Sequence, residues 1–199
     1  MGIGKQSKVL TDKQIEIMVS YLKGRRNGLR NVVIFLLSVK AGLRAKEIAH
    51  LTWSMLVDSD GEIGSAIHLT NESSKGKSGR IIPLNKDLKR CLEDLYNAER
   101  VSNGFDIKQS RIVRTERSGS TSPQAVVNMF QRWYADLGFV GCSSHSGRRT
   151  FITNASRKIG QCGGSLRDVQ ILAGHRNLQT TQRYIEYDSN SHRLIVDAI

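Results

Sequence analysis

Proline and cysteine are both scarce in this chain of 199 residues. Only two prolines occur, which argues against long linkers or disordered segments and favours helix. The three cysteines, Cys91, Cys142 and Cys162, are odd in number, and no two of them form a CxxC pair. Their spacing therefore indicates neither a disulfide framework nor a zinc ribbon.

Long apolar segments are lacking as well. The one apolar run, residues 32–39, is far shorter than the roughly 20 residues that a helix needs to cross a bilayer. The N-terminal sequence MGIGKQSKVL has no apolar region of the kind found in a secretory signal. We therefore expect a cytoplasmic protein with no membrane partner.

Acidic residues are too few to balance the basic ones. The chain has 18 aspartates and glutamates against 30 lysines and arginines, so its formal net charge is +12. Such an excess predicts a polyanionic partner, and nucleic acid is the usual one, because bound cations release its condensed counterions. A membrane surface or a ribosome would suit the same charge. The length and the hydrophobic fraction of 39% fit one globular domain.

Helical spacing of apolar residues dominates the chain. A capping box from Thr11 to Gln14 predicts a first helix from about residue 12. Apolar residues 32–41, followed by Gly42, predict a helix that is the buried centre of the fold. Further helices are predicted to begin near Asn85, Ser122, His145, Ser165 and Asn177.

Between these helices the pattern changes. Residues 55–84 contain short apolar pieces separated by the turn sequences DSDG and SSKGKSG, which predicts a three-stranded antiparallel sheet with Lys75 and Lys77 at a hairpin tip. The polar and basic segment 102–122, including Ile112 and Val113, is predicted to be an exposed connection. The predicted fold class is α+β and predominantly helical: a helical body interrupted once by a small sheet.

Chemically reactive residue types concentrate near the C-terminus. The sequences HSGRRTFIT and LAGHRNLQTTQRY contain His145, Arg148, Arg149, His175 and Tyr184. A tyrosine hydroxyl is a poor nucleophile at pH 7 unless neighbours accept its proton and stabilise the transition state. An arginine fork can hold two phosphate oxygens and a histidine can shuttle a proton, so this set indicates attack on a phosphodiester.

Far upstream, Arg44 lies in the sequence GLRAKEIAHLTW, where Gly42 ends one helix and another begins. A junction between buried helices holds a side chain rigidly. That position suits a catalytic arginine, and it suits a plain helix-capping arginine equally well.

In their order along the chain, these motifs resemble those of the tyrosine recombinase, or phage integrase, family. GLRAKEI resembles the family's first arginine motif at Arg44, and SKGKSGRIIPL resembles its hairpin lysine motif at Lys75. His145 with Arg148 resembles its His-x-x-Arg motif. Each motif alone is weak in a basic protein, and their order and spacing carry the resemblance.

The sequence LAGHRNLQTTQRY resembles the family's terminal box, with His175 nine residues before Tyr184. Tyr187 is a rival nucleophile one turn later, but the spacing from His175 favours Tyr184. The resemblance extends over residues 8–187 and corresponds to the family's catalytic domain, so that fold is expected here. One departure is Gly147, which stands where the family generally has leucine, so the helix after His145 is expected to start slightly differently.

The resemblance implies a mechanism that needs no metal and no nucleotide cofactor. Tyr184 would attack a DNA phosphodiester, form a 3′-phosphotyrosyl link and release a 5′-hydroxyl. Arg44 and Arg148 would hold the non-bridging oxygens, where charge develops. Lys75 would protonate the leaving 5′-oxygen, and His145 would assist proton transfer at the nucleophile.

His175 would hydrogen-bond the phosphate in the same scheme. Lys77 is a rival for the general acid, although the alignment of the hairpin favours Lys75. Additional candidates for contact with DNA are Lys77, Arg80, Arg149 and Arg176.

Domain organisation and partners also follow from the resemblance. Residues 11–187 would form the catalytic domain, after an extension of residues 1–10 and before a tail, residues 188–199, suited to contact a neighbouring protomer. Most relatives carry a separate DNA-clamping domain upstream, so this chain is expected to be a fragment or a short single-domain member. Strand exchange between two sites needs four protomers, which predicts a homo-tetramer on double-stranded DNA, a monomer or weak oligomer without it, and accessory DNA-bending proteins.

The expected function is therefore site-specific DNA recombination or integration, with the protein associated with the nucleoid when bound to DNA. Two alternatives stay open. One is a nicking and closing enzyme that resembles a type IB topoisomerase and reseals a single duplex. The other is a DNA-binding or regulatory protein that keeps the fold without the chemistry.

Overall fold

The computed structural model describes residues 6–71, 79–114, 118–184 and 197. Over these residues the chain forms eight α-helices, two β-strands and two short 3-10 helices at Trp53–Met55 and Ile159–Cys162. The α-helices are α1 (Asp12–Lys23), α2 (Gly28–Ala41), α3 (Ala45–His50), α4 (Lys86–Glu99), α5 (Pro123–Asp136), α6 (Ser146–Lys158), α7 (Leu166–Ala173) and α8 (Leu178–Gln182). The strands are β1 (Ala66–Leu69) and β2 (Arg80–Pro83).

Helix α2 is the centre of the fold, as its unbroken apolar sequence predicts. Every residue from Asn31 to Val39 is buried, and α1, α4 and α6 pack around the helix. The helix ends at Gly42, which has a left-handed φ of 66°. A Cβ atom there would lie 2.4 Å from the Phe151 ring of α6, so both the backbone angle and the packing require glycine.

Short-range capping signals begin the surrounding helices where the sequence predicts. The Thr11 hydroxyl accepts a hydrogen bond from the Gln14 amide at 3.2 Å, and the Gln14 side chain accepts one from the Thr11 amide at 3.0 Å. The Asn85 side chain caps α4, and Ser122 caps α5 with a proline in its first turn. The predicted starts of these three helices are confirmed. They could be predicted because each cap involves residues within one helical turn.

The small sheet differs from the expectation of three strands. Within the described residues it has two antiparallel strands, in which Ile67 pairs with Ile82 and both side chains are buried. The expected third strand is reduced to one isolated bridge between Val57 and Ile63. Between Val57 and Ile63, the side chain of Asp58 accepts two backbone hydrogen bonds. The chain therefore turns before a ladder of strand hydrogen bonds can extend. The hairpin tip with Lys75 and Lys77 lies outside the described residues.

The prediction of an exposed connection over residues 102–122 is wrong in its centre. Ile112 and Val113 are fully buried in the main core. The amide of Ile112 donates to the Leu51 carbonyl at 3.0 Å, and the Arg111 side chain donates to the Ala49 carbonyl at 2.9 Å. Backbone pairing with the segment after α3 therefore draws this short apolar piece inward.

Two apolar clusters of unequal size stabilise the fold. The large one includes residues from α1 to α5 and the sheet, among them Trp53 and Phe130. The small one consists of Ile152, Val169 and Ala173 on α6 and α7, with Tyr184 packed at its edge. Among the described residues, no helix has both the length and the apolar content that a bilayer span needs.

Candidate active site

Arg148 of α6 is held between the ends of two other helices. Its Nη1 donates to the Gly42 carbonyl at the end of α2, and its Nη2 donates to the Ala173 carbonyl at the end of α7, both at 2.6 Å. Helix C-termini carry unpaired carbonyls and a partial negative charge, which suits a cation. Burial, together with the charge of Arg44, lowers the pKa of Arg148 from its ordinary value to about 9. The guanidinium therefore remains charged at neutral pH.

Arg44 occupies the junction between α2 and α3, as the sequence indicates. Its backbone amide and its Nη1 each donate to the Glu47 carboxylate at 2.8 Å. Its Nη2 lies 3.4 Å from the Gly174 carbonyl. The side chain is 27% exposed, so part of the guanidinium remains open to a ligand.

Arg80, at the start of β2, is buried rather than presented to solvent. Its Nη1 and Nη2 donate to the two oxygens of Glu47 at 2.9 and 3.2 Å, and its Nε donates to the Leu172 carbonyl at 2.8 Å. The side chain is only 4% exposed. A guanidinium committed in this way supports the neighbouring arginines and is poorly placed to contact DNA.

The C-terminus of α7 thus organises all three arginines. Successive carbonyls of residues 172–174 accept hydrogen bonds from Arg80, Arg148 and Arg44 in turn. Gly174, with a φ of 61°, ends the helix, and a Cβ atom there would lie 2.9 Å from Nη1 of Arg80. We call Arg44, Glu47, Arg80 and Arg148 the clamp.

The clamp has more positive than negative charge. Burial alone would raise the pKa of Glu47, but hydrogen bonds and charge from Arg80, and then from Arg44, outweigh it and hold the pKa below its ordinary value. Glu47 is fully buried and offsets only one of three guanidinium charges. The remaining positive charge is fixed in place before any ligand arrives, which suits an anion such as a phosphodiester.

His175 follows the Gly174 cap and is neutral at pH 7. Its backbone amide donates to the Gln170 carbonyl at 3.1 Å, and its Nδ1 lies 2.9 Å from the Thr181 hydroxyl. Burial, followed by the positive charges of the nearby arginines, lowers the pKa of His175 from 6.5 to about 4. A neutral ring with one edge held by Thr181 is suited to hydrogen bonding, not to supplying a charge.

Tyr184 stands after α8, with its ring against His175. The ring centroids are 5.7 Å apart and the planes differ by 23°, while Cζ of Arg149 lies 5.8 Å from the Tyr184 centroid. The backbone amide of Tyr184 donates to the Thr181 carbonyl at 3.0 Å. The nucleophile candidate is therefore placed by ring contacts and one turn of backbone.

His145 is exposed at the start of α6 and lies where two clefts meet. One cleft, of about 430 Å³, is also lined by Tyr184 and Arg149, and the other, of about 230 Å³, is also lined by Arg44. Arg148 lines both clefts together with His145. We call His145, Arg149, His175 and Tyr184 the nucleophile wall.

Two larger clefts, of about 730 and 870 Å³, contain none of the predicted catalytic residues. The volume of a cleft does not identify the candidate site. The sequence leads us to expect a phosphate within an extended polymer, which needs an open cationic surface and not a deep apolar pocket.

The structure brings five of the predicted catalytic residues together: Arg44, His145, Arg148, His175 and Tyr184. Arg149 joins them in the larger of the two clefts, and Arg176 is exposed beside His175 along the chain. Lys75, Lys77 and Tyr187 lie outside the described residues, so the choices among them stay predictions.

Gly147 has a packing role that accounts for the departure from leucine. It is buried where α6 crosses α2, and a Cβ atom there would lie 2.4 Å from the Ser38 hydroxyl and 2.9 Å from the Ser38 Cβ. The two helices therefore approach more closely than a larger residue would allow. Gly147 lies between His145 and Arg148 in the sequence. Its close contact with α2 therefore sets how far both residues lie from that helix.

Sequence reasoning missed two residues of the site, Glu47 and Gln6. Glu47 follows Arg44 at the spacing of a capping box, which is a usable signal for the ion pair. Gln6 lines the cleft beside Tyr184 from a segment without secondary structure, and no local pattern marks it. Among the residues that the structure describes, no three histidine, cysteine, aspartate or glutamate side chains group as a metal site would require.

Comparison with known proteins gives one family. A family model described as "Phage integrase family" matches residues 8–191. The chain is 30% identical over 171 residues to tyrosine recombinase XerC of Actinobacillus pleuropneumoniae, covering 85% of this chain and 51% of that protein. It is 26% identical over 190 residues to tyrosine recombinase XerA of Pyrococcus horikoshii, covering 96% of this chain and 60% of that protein. The chain thus spans between half and three fifths of the length of these relatives.

The fold is also similar to a solved structure, the Tn1549 transposon integrase in complex with a circular intermediate DNA. The TM-score is 0.75 at 18% sequence identity, and the match covers 99% of this chain and 67% of that chain. At this identity the similarity supports the helical fold with its small antiparallel sheet.

Proposed function

Because the chain belongs to the phage integrase family, we propose that it is a site-specific DNA recombinase that cuts and rejoins strands through a covalent 3′-phosphotyrosyl intermediate. The observation that carries the proposal is the clamp itself. Three guanidiniums meet at residues 172–174, and the ring of Tyr184 stacks on His175 immediately after them. Fixed positive charge beside a hydroxyl nucleophile is what phosphoryl transfer needs most.

In the proposed reaction, the Tyr184 hydroxyl oxygen attacks the phosphorus of a DNA phosphodiester. The new bond joins phosphorus to the phenolic oxygen, and the bond from phosphorus to the 5′-oxygen breaks. His145 takes up the proton of the hydroxyl, and Lys75 gives a proton to the leaving 5′-oxygen. Attack by a 5′-hydroxyl of another strand reverses these steps and restores Tyr184, so no external energy source is consumed.

Arg44 and Arg148 stabilise the non-bridging oxygens in this scheme. A guanidinium has five N–H donors, and the two carbonyl contacts of Arg148 leave three of them for a ligand. Arg44 remains partly exposed in the same cleft as Arg148 and His145. His175, neutral and held by Thr181, contributes a hydrogen bond to the phosphate.

Arg80 and Glu47 take positioning roles in the proposal. Glu47 pairs with both Arg80 and Arg44, and this pairing sets the direction of the Arg44 guanidinium. Arg176 and Lys77 are proposed to face DNA, where sequence-independent contacts with the phosphate backbone would add affinity.

The assembly is also proposed. Exchange between two DNA sites uses four active centres, so a homo-tetramer forms on double-stranded DNA, with residues 188–199 contacting a neighbouring protomer and accessory proteins bending the DNA. The charge of +12 supports a polyanionic partner. We place the protein in the cytoplasm, at the nucleoid when bound to DNA.

The experiment offers the protein a pool of nicked duplexes of random sequence, in which cleavage releases a short fragment and traps the adduct. We expect a band of protein covalently linked to DNA on a denaturing gel, and its loss in Tyr184→Phe. An adduct that persists in Tyr184→Phe would remove Tyr184 as the nucleophile. DNA binding without any adduct would instead support a regulatory protein of this fold.

A second step separates recombination from nicking and closing. The DNA recovered from the adduct is supplied as two distinguishable duplexes. Joined products that contain one strand from each duplex indicate recombination. Relaxation of a supercoiled plasmid without joined products indicates an enzyme that resembles a type IB topoisomerase.

A further inference from the structure

Residues 6–10, which we call the N-terminal strip, run across the start of α6. Leu10 is 3% exposed, and its amide donates to the Thr150 hydroxyl at 2.8 Å. The Lys8 amide donates to the Gly141 carbonyl at 3.1 Å. The backbone of the strip is therefore docked by specific hydrogen bonds and a buried side chain.

The strip reaches the nucleophile through Arg149. The Gln6 side-chain oxygen accepts a hydrogen bond from Nη1 of Arg149. The same guanidinium lies over the Tyr184 ring, with Cζ 5.8 Å from the centroid. Gln6 and Tyr184 also line one cleft, and Arg149 links the strip to the Tyr184 ring.

A second path runs from the strip to His145. The Ser7 hydroxyl lies 2.6 Å from the Ser143 hydroxyl. The Ser143 oxygen in turn accepts a hydrogen bond from the His145 amide at 3.2 Å. The strip therefore contacts Arg149 directly and reaches Tyr184 and His145 through one residue each, which makes three of the four members of the nucleophile wall.

The clamp has no such dependence in the described contacts. Its guanidiniums are held by carbonyls of α2 and α7 and by Glu47, none of which belongs to the strip. A change in the docking of Gln6 and Ser7 is therefore expected to disturb the nucleophile wall more than the clamp.

We propose that Gln6 and Arg149 are positioning residues for Tyr184, and that docking of the N-terminal strip controls how fast this nucleophile reacts. The inference rests on the proposed recombinase function. A cation over the face of an aromatic ring is attracted to it. The hydrogen bond to Gln6 restricts the position of this cation, the Arg149 guanidinium. An undocked strip leaves Arg149 free to leave the ring, so Tyr184 spends less time in line with the phosphate.

Arg149 has another candidate role, contact with a DNA phosphate. The two roles differ in what they change. A phosphate contact changes DNA affinity and its dependence on salt. A positioning contact changes the rate at saturating DNA and the surroundings of the Tyr184 ring in free protein.

The first measurement uses no DNA. Protein labelled with 3-fluorotyrosine is studied by fluorine NMR, and the signal of Tyr184 is assigned from its loss in Tyr184→Phe. We expect Arg149→Ala to shift this signal and Gln6→Ala to shift it in the same direction by less, with the signals of Tyr21, Tyr96 and Tyr134 unchanged. An unshifted Tyr184 signal in both variants would overturn the inference, whatever the protein does to DNA.

The second measurement follows adduct formation at saturating and at subsaturating nicked DNA. We expect Arg149→Ala to slow the step at saturation about tenfold and Gln6→Ala about threefold, with half-saturation unchanged. Gln6→Glu keeps an acceptor for Arg149 and should restore the rate. The double variant should be no slower than Arg149→Ala, because Gln6 acts through Arg149.

Arg132→Ala, an exposed arginine on α5, is the matched control for loss of one positive charge. Weaker DNA binding with an unchanged rate at saturation in Arg149→Ala would assign that residue to a phosphate contact and overturn the positioning role. A wild-type protein that forms no adduct would count against the recombinase function alone, since the fluorine signals still decide the contact.

Discussion

The two sides of the candidate active site are built in different ways. In the clamp, Glu47 is fully buried, the Arg80 side chain is 4% exposed, and the arginines donate to main-chain carbonyls at helix ends. In the nucleophile wall, His145 is exposed, and Tyr184 is placed by ring contacts with His175 and Arg149. Tyr184 packs at the edge of the small apolar cluster.

In the proposed reaction the two sides have different tasks. Charge develops on the phosphate oxygens in a defined place, so cations that are already fixed there lower the barrier without reorganising. A nucleophile must instead approach phosphorus in line with the leaving oxygen and withdraw again as the bond is remade. Weak side-chain contacts allow that movement, and they also make the wall sensitive to its neighbours.

The strongest test of the comparison is Arg148→Ala. We expect adduct formation to slow roughly a thousandfold, because one fixed donor to the transition state is lost. The free energy of unfolding should also fall, since the carbonyls of Gly42 and Ala173 lose a buried partner. Single-turnover kinetics and urea denaturation measure the two effects, with Arg132→Ala as the control. Normal activity in Arg148→Ala would end the idea of a clamp.

Glu47→Ala tests whether the clamp depends on its buried ion pair. We expect the free energy of unfolding to fall by about 3–5 kcal/mol, because Arg80 is left as an uncompensated buried charge. The double variant Glu47→Met with Arg80→Met should recover part of the loss. A Glu47→Ala protein as stable as wild type in urea would show that the pair is not needed.

The pH dependence of the same pair has a definite sign. The pKa of Glu47 is held below its ordinary value of 4.5, so its contribution to stability is fully present above pH 4.5. That contribution is lost as pH falls through the lowered pKa in the folded state. The difference in unfolding free energy between wild type and Glu47→Gln should therefore shrink in acid.

His145→Ala tests the wall from the opposite direction. We expect adduct formation to slow about a hundredfold through loss of proton transfer. Stability should change by less than about 0.5 kcal/mol, because the ring is exposed and its side-chain hydrogen bond with the Ser144 hydroxyl is long at 3.4 Å. A large fall in the urea midpoint would contradict the division between a buried clamp and a wall held by weaker side-chain contacts.

Gly147→Leu acts on both sides at once, since this residue lies between His145 and Arg148. We expect a loss of about 1–3 kcal/mol in unfolding free energy, because a side chain there collides with Ser38. Combining it with Ser38→Gly should relieve part of the collision. If Gly147→Leu alone is fully stable, α6 can move away from α2 without cost.

The last test concerns the pH dependence due to His175. Its pKa is about 4 in the folded protein and ordinarily 6.5, so the unfolded chain binds the proton first as pH falls. As the pH falls from 6.5 to about 4, the free energy of unfolding should decline. Below about pH 4 this group should contribute no further pH dependence. His175→Gln should flatten the decline. An equal slope in both proteins would show that the ring titrates normally.

Sequence patterns predict those parts of the molecule that depend on neighbours along the chain. The caps at Thr11, Asn85 and Ser122 and the burial of α2 were all predictable for this reason. The inward course of Ile112 was not, because its backbone pairs with Leu51, about sixty residues earlier. The prediction of a third strand was wrong for a related reason. Short apolar pieces between turns predict strand character, but pairing partners decide whether a ladder extends.

The same division applies to the site. Motif order identified Arg44, Arg148 and Tyr184 as candidates, since each motif is a short run of residues. The residues next to Arg80 and Arg149 in the sequence do not show that Arg80 is buried and that Arg149 belongs to the nucleophile wall. The two arginines differ in which distant parts of the chain pack against them. Gly147 is a similar case, and its reason became visible only where α6 crosses α2.

By itself, the sequence determined the helical body, the family and the candidates for the reactive side chains, since caps, periodicity and motifs act over a few residues. Only the tertiary structure decided that the C-terminus of α7 gathers the clamp arginines and that the N-terminal strip reaches the wall. Arg148 joins Gly42 across 106 positions, and Arg44 joins Gly174 across 130. Contacts of that range depend on how whole helices pack, which no local pattern encodes.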